Sequence, residues 1–240
     1  MAIVIESGVD IGPGIDIGGT GGSSPTLLLE LDAQDYSGSG STWPANTGSD
    51  ATLYNTPTYT ASSPTYFSFN KNSFEYADTA DLGNLSTWTV EAWFRVTSSL
   101  TGQVMFIVGN EFDLSTNINF GIGTGRAPAS YNIAVGLFDN GWQNTTGFAP
   151  TQNTWYYVVG TYDGSTIKQY NNGSLSTSLS YSGTPASGGT VRIARRWDSS
   201  ATSATNFFPG DVAIARVYSG AKDATAITNS WNTDKARFGY

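Results

Sequence analysis

Acidic side chains are the residues with which this sequence could perform acid–base chemistry. The 240 residues include no histidine and no cysteine, so the usual near-neutral base, the thiol nucleophile and the common zinc ligands are missing. Retaining glycosidases need two carboxyl groups about 5 Å apart, and the nearest match is Glu111 with Asp113. Glu75 and Glu91 each stand alone. The pattern favours a protein that is not an enzyme.

Calcium remains available to such a chain because it is bound by six to eight oxygen atoms. Aspartates are scattered through the turns, and we take Asp32, Asp35 and Asp211 as the candidate ligands. No run matches a contiguous calcium-binding loop. Aspartates also stabilise turns by bonding their own backbone, so structural roles stay open for all three.

Carbohydrate binding requires an exposed aromatic ring beside polar side chains. Trp142 is the best candidate because it lies in a polar loop with Asp139 and Asn140. Trp197, next to Arg196, is the second candidate. The alternative is that each tryptophan folds back over the edge of the domain or lies in a subunit contact.

Charge limits the partners of this protein. The net charge is −8, which disfavours binding to nucleic acid or to an anionic membrane. Arg192, Arg195 and Arg196 form the one dense basic cluster. This cluster is suited to an acidic glycan, to acids of a neighbouring protein, or to ordinary ion pairs within the chain.

Recurrent strand signals predict an all-β domain that positions these side chains. In Trp88–Val96, alternation places Trp88, Val90 and Phe94 on one face, with Trp93 on the other. Asp163-Gly164 predicts a hairpin between strands 155–162 and 166–170, and Asp223 predicts the start of a helix over 224–231. A dozen or so strands describe a two-sheet antiparallel jelly-roll sandwich over residues 25–240.

Three blocks carry a resemblance to a known family. They are Trp88-Thr89-Val90-Glu91-Ala92-Trp93-Phe94, Asn172-Gly173, and Phe208-Pro209-Gly210. Together they resemble the laminin-G-like jelly roll of the concanavalin A-like lectin/glucanase superfamily, over roughly residues 27–231. The resemblance implies the fold and permits calcium. Glycosidases of this superfamily carry three alternating acids on one strand, and the Glu111–Asp113 segment lacks the third.

Residues 1–24 differ from the rest and are predicted to form an extended assembly arm. Glycines alternate there with aliphatic residues that could not bury themselves alone. These residues are Ile3, Ile5, Val9, Ile11, Ile15 and Ile17. The arm resembles, more weakly, the leaders of tailed-phage structural proteins. A flexible linker is the alternative.

Two functions follow from the sequence. The first is a non-enzymatic virion protein, a capsid decoration or fibre subunit, assembled in a host cytoplasm and held in a homo-oligomer or to other virion proteins by the arm. The absence of cysteine and of a visible signal peptide supports it. The second is a carbohydrate-binding module or adhesin at an extracellular surface, recognising host glycans with or without calcium.

Overall fold

A computed structural model describes residues 24–111, 118–124, 131–139, 141–196 and 203–240. Within these ranges the chain forms two antiparallel sheets, one of nine strands and one of eight. Sheet A contains β1 (Thr26–Asp32), β3 (Ala45–Thr47), β5 (Thr58–Thr60), β6 (Tyr66–Phe69), β8 (Trp88–Val96), β13 (Trp155–Tyr162), β14 (Thr166–Asn171), β15 (Ser174–Ser180) and β17 (Gly210–Ser219). Sheet B contains β2 (Thr42–Trp43), β4 (Ala51–Tyr54), β7 (Tyr76–Asp81), β9 (Phe106–Glu111), β10 (Ile118–Thr124), β11 (Ile133–Phe138), β12 (Trp142–Asn144) and β16 (Thr190–Ile193).

One end of each sheet is built from consecutive hairpins, whereas the central strands pair with strands that are distant in sequence. Sheet A runs β15-β14-β13-β8-β17-β1-β3, with β6 paired to the beginning of β17 and β5 paired to β6. Sheet B runs β12-β11-β10-β9-β16-β7-β4-β2. The predicted two-sheet jelly roll is confirmed.

The main core lies between the sheets and follows the alternation of β8. Trp88, Val90 and Phe94 point into it, and each is completely buried. The predicted hairpin at Asp163-Gly164 is also present, since β13 and β14 pair from Tyr162 and Ile167 onward. Burial of the apolar faces of both sheets supplies the main driving force for this architecture.

A second apolar cluster covers the outer face of sheet A. Trp93 points away from the main core, as its position in β8 predicts, and is completely buried. The ring of Phe238 stacks on Trp93 with centroids 3.9 Å apart, and Trp231 lies 5.1 Å away. Helix α1 (Ala224–Asp234) carries Trp231, and the 3-10 helix that follows it (Lys235–Phe238) carries Phe238. At the start of α1 the Asp223 carboxylate accepts a hydrogen bond from the N–H of Ala226. The predicted helix is confirmed.

The aromatic residues of Ser73–Tyr76 predict a strand, and this prediction is wrong. Lys71–Ser73 forms a short 3-10 helix, and the strand begins only at Tyr76. The side chain of Asn70 caps this turn, and Phe74 adopts the left-handed conformation at φ 56°. The turn therefore interrupts a segment whose aromatic composition is typical of a strand.

The arm predicted over residues 1–24, with Ile3, Ile5, Val9, Ile11, Ile15 and Ile17, lies outside the described residues apart from Ser24. Within the described ranges, no helix has the length and apolar character needed to span a bilayer.

Candidate functional site

The outer face of sheet B is the broad sheet surface that α1 does not cover. It is exposed at β4, whereas its middle strands β10 and β11 are buried. Alternation turns Thr52 and Tyr54 outward on β4, while Ala51 and Leu53 enter the core. Register continues this face across the sheet, since Asp78 lies opposite both Thr52 and Arg192. We call the surface formed by these residues and their lateral neighbours the sheet B face.

Glycines make room for an aromatic ring in the middle of the sheet B face. Gly109, Gly121 and Gly136 lie side by side on β9, β10 and β11. The ring of Phe106 lies over the first two, and a Cβ added at Gly121 would come within 2.5 Å of its Cε1 atom. A side chain at Gly121 would therefore displace Phe106 from the surface of the sheet.

Trp142 lies in strand β12 at one end of this face. The prediction that it lies in a polar loop is therefore wrong. Asp139 and Gly141 form a tight turn, the Asp139 N–H bonding the carbonyl of Gly141, and this returns the chain to pair Trp142 with Phe138. The ring is half-buried, with Phe106 at 6.1 Å and Phe138 edge-on at 5.9 Å. Its indole N–H is shielded from solvent and has no hydrogen-bond partner among the described residues.

Arg196 and Trp142, which belong to the second and the first carbohydrate-binding candidates, lie close together. The guanidinium carbon of Arg196 lies 5.6 Å from the centre of the Trp142 ring, within the range of a cation–π contact. Asp139 is nearby in sequence but is bonded by the hydroxyl of Tyr181. Asn140 and Trp197, the other predicted members, lie outside the described residues.

A second aromatic group at the other end of the face was missed by sequence reasoning. Tyr54 and Tyr76 stack nearly parallel, with centroids 4.5 Å apart and 7° between their planes. Tyr54 is 39% exposed, and the guanidinium of Arg195 lies 4.4 Å from the Tyr76 ring. The outward position of Tyr54 in the alternating strand β4 was the available signal, but its partner on β7 depends on long-range register.

The basic cluster lies in the middle of the sheet B face and is buried. Arg192, Arg195 and Arg196 are each 6 to 7% exposed. The Nε atom of Arg192 is 3.4 Å from Oδ1 of Asp78, so part of the cluster makes the ordinary intramolecular ion pair. Burial raises the pKa of Asp78, although Arg192 and Arg195 both act to lower it.

The carboxylates considered for catalysis are separated by the fold. Glu91 is completely buried and forms an ion pair with Lys222. Glu75 lies instead beside the 3-10 turn on a different part of the molecule, where its carboxylate accepts a hydrogen bond from the N–H of Asn70. Asp113 lies outside the described residues, so the pair that it forms in sequence with Glu111 is not placed.

The predicted calcium ligands each have a protein partner. Asp32 accepts two hydrogen bonds from Arg237, at 2.6 and 2.7 Å. Asp211 is 2.6 Å from a guanidinium nitrogen of Arg95, and Asp35 accepts a hydrogen bond from Asn46. Within the described ranges, no group of three or more acidic side chains gathers around a point where a metal ion could sit. A calcium site at these residues stays a prediction.

The two antiparallel sheets form a lectin-like jelly-roll sandwich. A laminin G family model, described as the concanavalin A-like lectin/glucanases superfamily, matches residues 69–228, and the chain belongs to this superfamily. The resemblance carried by the β8, Asn172-Gly173 and Phe208-x-Gly210 blocks is thereby confirmed. No curated protein matches the sequence.

Solved structures share the fold at low sequence identity. Domain 4 of AbnA, a GH43 extracellular arabinanase from Geobacillus stearothermophilus, was solved with arabinotriose; its TM-score is 0.61 at 14% identity, over 85% of this chain and 98% of that one. The botulinum neurotoxin serotype C1 binding domain has a TM-score of 0.65 and 13% sequence identity. The match covers 87% of this chain and 52% of that one. The binding domain of botulinum neurotoxin DC, in complex with SialylT, has a TM-score of 0.61 and 12% sequence identity. The match covers 87% of this chain and 51% of that one. The chain spans about half the length of the two neurotoxin domains.

Proposed function

We propose that this protein is a carbohydrate-binding module without catalytic activity of its own. The observation that carries the proposal is the pair of aromatic groups at the two ends of the sheet B face, Tyr54 stacked on Tyr76 and the half-buried Trp142 beside Arg196. Aromatic rings provide the apolar platform that the C–H face of a sugar ring requires. Polar side chains at the same surface, including Asp78 and Asn144, are suited to the hydroxyl groups.

The similar structures support the interpretation as a carbohydrate-binding module more than the interpretation as a virion protein. One was solved with arabinotriose and others are binding domains, so this sandwich occurs in proteins that bind other molecules. Three statements stay predictions: the location in a virion or at an extracellular surface, the homo-oligomer and the role of the arm. The family match begins at residue 69 and so does not include the arm.

A glycan array probed with the full chain, with calcium and with chelator, tests the proposal. We expect binding to a restricted set of glycans, weakened by Trp142→Ala or Tyr54→Ala. Leu175→Ala is the matched control, because Leu175 is a large exposed side chain on the edge of sheet A, 57% exposed. No binding under either condition would overturn the proposal. Binding only with calcium would support the predicted metal.

A further inference from the structure

A groove at one rim of the sandwich is separate from the sheet B face. It consists of two adjoining cavities of about 300 and 180 Å³, both lined by Ser98 in the loop after β8. We call them the polar lobe and the aromatic lobe. The larger is at the lower end of ordinary ligand pockets, which are roughly 300–1,000 Å³.

Two buried carboxylates line the polar lobe. Asp211 is 2% exposed and is held by Arg95 at 2.6 Å and by the hydroxyl of Ser68 at 2.6 Å. Glu75 is 8% exposed and accepts a hydrogen bond of 2.8 Å from the N–H of Asn70. These contacts fix both carboxylates, so the acceptor groups of the lobe are positioned before a ligand arrives.

The rest of the polar lobe supplies groups that both donate and accept hydrogen bonds. Its remaining polar lining consists of the hydroxyls of Thr58, Thr97 and Ser98, the amides of Asn70 and Asn72, and the ammonium of Lys71. The cations Lys71 and Arg95 balance the two carboxylates in charge. A small anion would meet two carboxylates, and a metal ion would compete with the guanidinium on Asp211. This lining matches a neutral molecule with many hydroxyl groups.

The aromatic lobe has a complementary character. Tyr131 is 45% exposed, and Leu100 and Pro150 add apolar surface beside it. The amide of Gln152 and the hydroxyl of Ser99 are the polar groups at its edge. An exposed tyrosine ring next to a few polar groups suits the apolar face of a second sugar ring.

We propose that the rim groove binds a neutral disaccharide, with one ring in the polar lobe and the next stacked on Tyr131. This goes beyond the function proposed for the sheet B face and does not depend on it. Tyr131 precedes β11, whereas Trp142 pairs with Phe138 at its far end. The strand from Ile133 to Phe138 spans about 17 Å at about 3.3 Å per residue, so one disaccharide cannot occupy both sites.

Calorimetric titration of the full chain with cellobiose, maltose, lactose and xylobiose tests the groove. Ser98→Trp fills the position shared by both lobes, and Tyr131→Ala removes the ring. Leu175→Ala is the control, because Leu175 is 57% exposed on the edge of sheet A and lies outside both proposed sites. Tyr54→Ala and Trp142→Ala report whether the sugar occupies the sheet B face instead. Circular dichroism and thermal melts verify that each variant is folded.

At least one disaccharide should bind the wild type, and Tyr131→Ala should weaken it roughly tenfold, the loss of one stacking contact. Ser98→Trp should abolish binding, while Leu175→Ala should leave it unchanged. The groove is refuted if none of the four sugars binds, or if binding survives both groove variants. Binding lost in Tyr54→Ala or Trp142→Ala instead would assign the sugar to the sheet B face and leave the proposed function intact.

Discussion

The ammonium of Lys222 lies 2.6 Å from Oε1 of Glu91, a carboxylate with no exposed surface in the middle of strand β8. Arg216 lies 3.7 Å from the other oxygen of the same carboxylate. Lys222 also donates a hydrogen bond to Ser230 of α1. A glutamate that stands alone in the sequence is therefore part of a buried ion-pair cluster that fastens the helix to sheet A.

Breaking this pair should destabilise the fold. Lys222→Met leaves the buried Glu91 charge with one cation instead of two, and we expect a loss of about 3 kcal/mol in the free energy of unfolding. Glu91→Gln together with Lys222→Met should cost clearly less than the sum of the single changes. Urea unfolding of the four proteins gives the coupling energy, and additive losses within about 0.5 kcal/mol would contradict the account.

The carboxyl-terminal segment is part of the folded unit. Phe238 is 7% exposed and stacks on Trp93, so Phe238→Ala should open a cavity in the second apolar cluster. We expect a loss of about 3 kcal/mol in the free energy of unfolding. Leu175→Ala, on an exposed edge, should change it by less than about 0.5 kcal/mol. Equal effects of the two changes would mean that the carboxyl-terminal segment does not stabilise sheet A.

The hairpin at Asp163 should give a pH-dependent contribution to stability. Burial alone raises the pKa of Asp163, but hydrogen bonds from Ser165 and Thr166, with the charge of Lys168, together lower it below 3.8. Because the pKa of Asp163 is lower in the folded state than in the unfolded state, its ionised carboxylate stabilises the fold fully above the unfolded-state pKa. This contribution is lost as the pH falls through the folded-state pKa.

Asp163→Asn keeps the shape of the side chain and removes its charge. At neutral pH this change should cost less than about 1 kcal/mol, because the carboxylate is one-third exposed. The difference in melting temperature from the wild type should shrink below pH 3.8. A difference that is constant across this range would show that the charge is irrelevant.

Deletion of residues 1–24 tests the predicted arm. We expect the remaining chain to keep the thermal melt of the sandwich and to lose self-association, because the strands of the sandwich begin at Thr26. Light scattering on both proteins measures the mass. A truncated protein with the same oligomeric mass would assign assembly to the sandwich itself.

Local patterns predicted those parts of the fold that depend on neighbours in sequence. The two faces of β8, the hairpin at Asp163-Gly164 and the cap of α1 at Asp223 are examples, and each was correct. The stack of Tyr54 on Tyr76 was missed because it depends on the register between β4 and β7. The rim groove was missed for the same reason, since Ser68 and Asp211 meet only through the pairing of β6 with β17. Trp142 was assigned to a loop because its three-residue strand is too short for a periodic signal.

The most direct test of the proposed function is the affinity of the best glycan from the array for the wild type, Trp142→Ala, Tyr54→Ala and Leu175→Ala. Isothermal titration calorimetry should give a loss of about 2 kcal/mol, roughly thirtyfold, for at least one aromatic variant of the sheet B face, with Leu175→Ala unchanged. Equal affinity for all four folded proteins would contradict carbohydrate binding at the sheet B face.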